Sequence, residues 1–299
     1  MLIKIFAAVM LALAAAGCTV TAPDRNPSGN LPAESLAAPA PQLWITYLPY
    51  PDLEFMAQAN VRPVPAYTGW TALRMERDAA MMKYAGIGAV LIKAAPAELA
   101  DTSFQERCRE FGRILHSAGG PRIALLLHPG ANRNITLRRD NLLRYLAGIG
   151  YHGWEGILMH RNLPAILVAS EISLTGTDPD NAPVRILHEG TDFPQRPAGA
   201  VTRESTITIL DGFTRIRAGE ADGSTDFSAS AQKNTWPLPR LNGDALRMQL
   251  KMSRSVPALQ TIILDSWNDY RDGSHVEPDT ITRTRFVEIL NREVPQNIP

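Results

Sequence analysis

The sequence predicts an α/β fold, and within that class a single-domain (β/α)8 barrel of the TIM type. Three observations carry the expectation. Short apolar runs alternate along the chain with longer stretches of helical periodicity. The runs are apolar at consecutive positions, as strands of a parallel sheet buried on both faces must be. The stretch 42–299 has the length at which such barrels close as one domain. A doubly wound open sheet is the alternative. It lacks its usual support, because no glycine-rich phosphate loop follows the first strand and Gly69 and Gly86 do not make one.

The elements follow in order. Leu43 to Tyr47 reads as the first strand, and residues 69–85 as a helix with Ala72, Met75, Ala79 and Met82 on one face, closed by Gly86. Ala89 to Ile92 is a fully apolar strand. Residues 102–117 form the next helix, capped by Asp101 or Thr102 and carrying the stripe Phe104, Cys108, Phe111, Leu115. Arg122 to Leu127 is a third strand, stopped by His128-Pro129-Gly130, and residues 136–148 make a third amphipathic helix. Ile157 to Val168 reads as a hairpin running into a buried strand. Val184 to Leu187 and Ile207 to Leu210 are two more strands. Residues 219–240 are polar, with an eighth strand placed near 225–230. Residues 243–254 are helical, Leu259 to Leu264 is a strand, and residues 279–293 are a final helix with Asp279 before Thr280 as its N-cap.

Residues 1–17 are set apart from the fold. Lys4 is a short basic region and Ile5 to Ala16 an apolar run of signal-peptide length, shorter than the roughly 20 residues a spanning helix needs. The run ends Ala14-Ala15-Ala16-Gly17-Cys18. Small residues before a cysteine resemble the bacterial lipobox, in which the cysteine is lipidated and becomes the new N-terminus; Ala15 stands where leucine is commoner. Thr19, not Asp, follows, which resembles outer-membrane sorting in Gram-negative bacteria. An ordinary secretory signal with a chance cysteine is the alternative. Cys18 and the Pro-, Ala- and Ser-rich residues up to 41 read as a lipid anchor and flexible tether. The expectation is an envelope protein held to the lipid bilayer through acylated Cys18.

Composition narrows the partners. Lys and Arg number 30, Asp and Glu number 30, and the formal net charge is zero. A neutral chain has no electrostatic footprint for nucleic acid or for an anionic membrane surface. Two cysteines exclude a disulfide scaffold and an all-cysteine metal site, and Cys108 within its apolar stripe reads as a buried core thiol. No His-x-x-x-His pair, carboxylate ladder or Gly-x-Ser-x-Gly elbow is present, so no metal, nucleotide or serine nucleophile is expected.

In a barrel the chemistry gathers at the C-terminal ends of the strands. Polar residues expected there are Tyr47, Tyr50, Lys93, His128, Glu171, His188, Glu189, Asp211 and the run after Leu264. That run, Asp265 to Asp279, is the densest polar stretch of the chain, with five carboxylates, one histidine, two aromatic residues and an asparagine within 15 positions. A turn and a helix cap account for Asp279 but not for Trp267-Asn268-Asp269 beside Asp272.

The run SWNDYRDGSHVEPD resembles the signature of glycoside hydrolases of families 71 and 99 and their bacterial relatives. Family 99 reads WNEW, one residue, EG, then a stretch ending IEP; family 71 begins WNDYGESHY. This chain shares Trp267-Asn268-Asp269-Tyr270 with the second pattern, and Gly273 and Val276-Glu277-Pro278 with the layout of the first. The likeness extends loosely over residues 42–290. It implies a barrel hydrolase acting without a cofactor on an α-linked poly- or oligosaccharide, with catalytic carboxylates at Asp269 and Asp272. Asp272 would be the general acid, and Asp269 the base or stabiliser. Both families carry Glu at the position of Asp272. The shorter side chain withdraws the carboxylate by roughly 1.5 Å, and misplacement of about 1 Å can cost about 100-fold in rate.

Two carboxylates suit the reaction on physical grounds as well. One protonates the leaving oxygen while the other activates water or stabilises the oxocarbenium-like centre, and neighbouring acids push their proton affinities apart. Sugar C–H faces stack on aromatic rings, which makes Trp267, Tyr270, Tyr47 and Tyr50 candidate walls. Asn268, His275, Glu277 and His128 are candidate substrate-binding groups, with a loop cap as the alternative for His275. A catalytically weakened barrel lipoprotein that binds glycan is the rival reading, and a purely structural envelope lipoprotein is a third.

Overall fold

The computed structural model of the chain describes residues 41–50, 62–130, 135–177, 182–188, 213–217, 243–254, 259–270 and 274–294. In chain order the strands are β1 (Gln42–Tyr47), β2 (Ala89–Ala94), β3 (Arg122–Leu127), β4 (Ile135–Arg138), β5 (Met159–His160), β6 (Leu163–Val168), β7 (Ile172–Thr175), β8 (Arg185–His188), β9 (Phe213–Arg217) and β10 (Thr261–Asp265). The helices are α1 (Ala72–Tyr84), the single turn α2 (Pro96–Leu99), α3 (Thr102–Ser117), α4 (Arg139–Gly148), α5 (Asp244–Arg254) and α6 (Arg285–Glu293).

The helices begin and end where their residues dictate. Thr71 Oγ1 accepts the Arg74 N–H at 3.4 Å to open α1, and Gly86, at φ 73°, follows its end. Asp101 accepts the Ser103 N–H at 2.9 Å and opens α3, whose stripe Phe104, Cys108, Phe111, Leu115 is buried. Two expectations are corrected, and one strand is added. Residues 135–138 are a strand, so α4 starts only at Arg139; β4 pairs in parallel with β7 as a small second sheet. The final helix starts at Arg285, not at 279, because Asp279 caps a turn instead: it accepts the N–H groups of Ile281 at 2.6 Å and Thr282 at 2.5 Å. Phe213–Arg217 is a strand that no apolar run announces, since arginines alternate along it.

The main sheet runs β5-β6-β3-β2-β1-β10-β9, with β8 also on β6, and every pairing but the short β5–β6 ribbon is parallel. Apart from that ribbon, each strand lies beside its neighbour in the chain, and β10 lies beside β1. That is the circular order of a barrel. Among the described residues the ring is open at one step, between β8 and β9. The expected strands at 207–210 and 225–230, the leader, the anchor Cys18 and the tether lie outside the described residues.

Side-chain alternation separates the two faces of the sheet. Leu43, Ile45, Val90, Ile92, Ile123, Leu125, Ile166, Val168, Ile262 and Leu264 join one core with Met75, Met82, Phe104, Phe111, Leu246 and Phe286 of the helices. Their alternates, Trp44, Ala89, Leu91, Ala124, Leu126, Ala165, Leu167, Leu187 and Ile263, form a second cluster that contains no helix residue. A doubly wound sheet needs helices on both faces. A face that buries itself on itself is a sheet curled into a ring, which favours the barrel over the open-sheet alternative.

The packing of α3 on the loop before β5 leaves no room for a methyl group. A Cβ on Gly112 would lie 2.6 Å from both the Glu155 carbonyl oxygen and Ile123 Cδ1, and Gly156 faces it at φ +70°. Gly112→Ala should therefore destabilise the fold by about 1–3 kcal/mol, read as a lowered denaturation midpoint; an unchanged midpoint would contradict this close approach.

Candidate active site

Above the inner apolar cluster, the same alternation turns Thr46, Lys93 and Asp265 toward the inside of the ring at the C-terminal ends of β1, β2 and β10. Lys93 Nζ lies 3.7 Å from Asp265 Oδ1 and 3.6 Å from Asp269 Oδ2. Thr46 Oγ1 donates to the same Asp265 oxygen at 2.5 Å. The Asp265–Ser266 peptide bond is cis, and Ser266 Oγ accepts the Asp269 N–H at 2.7 Å, which closes the turn carrying Asp269. His128, directly after β3, accepts the Gly130 N–H on Nδ1 at 3.1 Å. Burial lowers the proton affinity of its ring, and so does Lys93, while Glu98 and Glu171 oppose them. Polar side chains from the ends of β1, β2, β3 and β10 thus gather at this end of the sheet.

The loop after β10 is stitched to β1. Trp267 N–H donates to the Thr46 carbonyl at 2.7 Å, and the N–H groups of Val276 and Glu277 return to the Trp267 carbonyl at 3.0 and 2.8 Å. Asn268 clamps Leu48 by accepting its N–H at 2.8 Å and donating to its carbonyl at 2.7 Å. Farther along, Val64 N–H donates to the Pro278 carbonyl at 2.8 Å.

Most of the aromatic and polar residues expected to touch sugar are building material. Trp267 and Tyr47 are completely buried, so neither ring presents a stacking face; Tyr47 packs on Trp70 and Phe111 and donates to Asp78 at 2.8 Å. Asn268 is buried and satisfied by Leu48. Tyr270, 6% exposed, stacks on His275 with centroids 4.0 Å apart. His275 is buried and bonds Asp279 at 2.9 Å. Burial opposes ionisation of Asp279, but bonds from His275 and Thr282 outweigh it and bring its pKa down to about 2. Tyr50 is 53% exposed, edge-on to Trp70, and keeps an open ring. His188 contacts the Ile172 carbonyl at 2.7 Å. Asp269 is half-buried at the ring's mouth. Asp272, Glu189, Asp211 and Cys18 lie outside the described residues.

Glu277 belongs to a polar cluster beneath this loop. It is fully buried, accepts a bond from Arg77, and accepts from Tyr67 Oη at 2.9 Å and from Tyr270 Oη at 3.3 Å. Arg77 also holds Asp78 through Nε at 3.0 Å, and Arg74 lies 3.4 Å from Asp78 and stacks over the Tyr67 ring at 3.8 Å. Burial and then the charge of Asp78 raise the Glu277 carboxyl to about 8, against the pull of Arg77 and Arg74. Sequence reasoning passed over this cluster. Its signal was Asp78, a carboxylate on the same helical face as Met75 and Met82, where a charge must find a partner. Among the described residues, no three potential ligands converge as a metal site.

No family model matches the chain, and no curated protein matches it. Solved structures share its fold. The family GH99 endo-α-mannosidase of Bacteroides thetaiotaomicron, in complex with bis-tris propane, superposes with a TM-score of 0.59 at 10% identity, over 85% of this chain and 96% of its own. A second structure of that enzyme gives 0.51 at 10% identity, over 84% and 97%. A glycoside hydrolase-like protein gives 0.56 at 11% identity, over 85% and 94%. At these identities the likeness is one of fold.

A carboxyl whose folded pKa is raised contributes stability below its unfolded pKa and loses it as pH rises through the folded value. Glu277→Gln mimics the protonated form. The stability difference between wild type and this variant should shift in the variant's favour between about pH 4.5 and 8, measured by urea denaturation across that range. No change in that difference across the window would show the carboxylate ionised throughout.

Proposed function

We propose that the chain is a glycoside hydrolase that cleaves an α-linked poly- or oligosaccharide at the C-terminal mouth of its ring of strands. One observation carries the reading most of the way: Asp269, from the glycoside-hydrolase-like motif, stands half-buried beside Lys93 and Asp265 at the end of the sheet where barrel enzymes do their chemistry. The shared fold with an endo-α-mannosidase supports it and makes α-mannans the first substrates to try.

In the reaction the bond between the anomeric carbon and the leaving oxygen breaks and the oxygen of water bonds to that carbon. One proton passes to the leaving oxygen, and water gives one up. Asp272 takes the donor role and Asp269 that of base or stabiliser. Tyr50, with its open ring, and His128 are the binding groups. The ordered frame of Asn268, Tyr270, His275 and Glu277 holds the loop that presents Asp269. We further propose that the protein works in the bacterial cell envelope, tethered to the outer membrane through acylated Cys18.

Incubation with a panel of α-mannans and α-glucans, scored by new reducing ends, should give product. Asp269→Asn and Asp272→Asn should each lower the rate by about 10²–10⁴-fold. Wild-type rates in both variants would refute the assignment, and binding without product would favour the weakened, glycan-holding barrel.

A further inference from the structure

The two-acid scheme leaves Lys93 without a task, and its position gives it one. Lys93 stands on the inner face of β2, one alternation beyond Leu91 of the inner apolar cluster. An ammonium on an apolar inner face needs partners, and both of its carboxylate partners lie across β1, at and beyond the end of β10. They differ in how they are held. Asp265 is the last residue of a strand and is also gripped by Thr46 at 2.5 Å. Asp269 rides on the loop, with its backbone N–H on Ser266. Lys93 reaches both, at 3.7 and 3.6 Å, and so links the loop-borne carboxylate to a strand-borne one. His128 faces the same charge from the end of β3.

We propose that Lys93 is a positioning residue of this site: anchored on Asp265, its ammonium fixes the carboxylate of Asp269 in the orientation it needs as base or stabiliser. The inference rests on the hydrolase reading and deepens it, because it assigns Lys93 to the Asp269 side of the reaction and not to the proton donor. Without the ammonium, the like charges of Asp265 and Asp269 repel each other and the Asp269 carboxylate shifts from the orientation Lys93 gives it. Arginine keeps the charge and reach, whereas methionine keeps the bulk alone.

The test compares wild type, Lys93→Met and Lys93→Arg on the best α-glycan and on the corresponding 2,4-dinitrophenyl glycoside, whose leaving group needs no proton. Lys93→Met should lose about 100-fold in kcat on both substrates, with KM within about 3-fold. Lys93→Arg should recover about 10-fold of that loss. Lys93→Gln carries the same comparison should the methionine variant not fold. Wild-type kcat in Lys93→Met, a loss confined to KM, or a loss that disappears on the dinitrophenyl glycoside would each overturn the assignment, the last by moving Lys93 to the proton donor. A wild-type chain that cleaves no glycoside would bring down the hydrolase reading and this one with it. An active wild type with an unaffected Lys93→Met would bring down this one alone.

Discussion

Strand β1 is held against β10 by parallel pairing in the register Leu43 to Ile262 and Ile45 to Leu264, and what is chemical about this chain follows from that contact. It joins side chains as far apart in the chain as Thr46 and Asp265, 219 positions. Closing so long a loop costs only slowly more entropy as the chain lengthens, and the burial of Ile45 and Leu264 in the core offsets it. Once the pairing exists, the Trp267 N–H finds Thr46 and Asn268 finds both backbone groups of Leu48. The loop after β10 is then fixed over the end of the ring.

The curled sheet decides where polarity can sit. Its inner face is apolar through the middle, from Trp44 and Ala89 across to Leu187 and Ile263. Polar side chains on that face are tolerated at the end, where water or partners are within reach. Thr46, Lys93 and Asp265 therefore form a layer at the mouth, joined by Asp269 from the loop. The layer is a consequence of strand alternation meeting the end of the sheet.

Beneath the loop, α1 supplies a second set of charges for a different purpose. Arg74, Arg77 and Asp78 meet Glu277, Tyr67 and Tyr270, with Arg77 and Tyr67 at the partly exposed edge. Buried ion pairs are weak as sources of stability, and breaking one is expensive. Here they tie Glu277 of the loop to Arg77 of α1, which in turn holds Asp78. Most of the ordered residues of the motif are accordingly architecture: Trp267 fills core, Asn268 clamps Leu48 just after β1, and Tyr270, His275 and Asp279 brace the loop that carries Asp269.

The sequence by itself determined the local elements, because periodicity is a property of neighbouring residues. The stripe from Phe104 to Leu115 announced α3, the run from Ala89 to Ile92 announced β2, and the density of carboxylates after Leu264 marked the loop that matters. It took residues 136–138 for the start of a helix and marked no strand at Phe213–Arg217, because segments of four and five residues are too short for periodicity to settle, and it took Asp279 for a helix cap when the helix begins six residues later, at Arg285. Only the tertiary structure decided which motif residues face the mouth and which are spent on the frame. Burial depends on what the ring brings from distant segments: Tyr47 looks like an open aromatic until α1 and α3 cover it, and Lys93 looks like one more strand-end charge until β10 arrives beside β1 with Asp265.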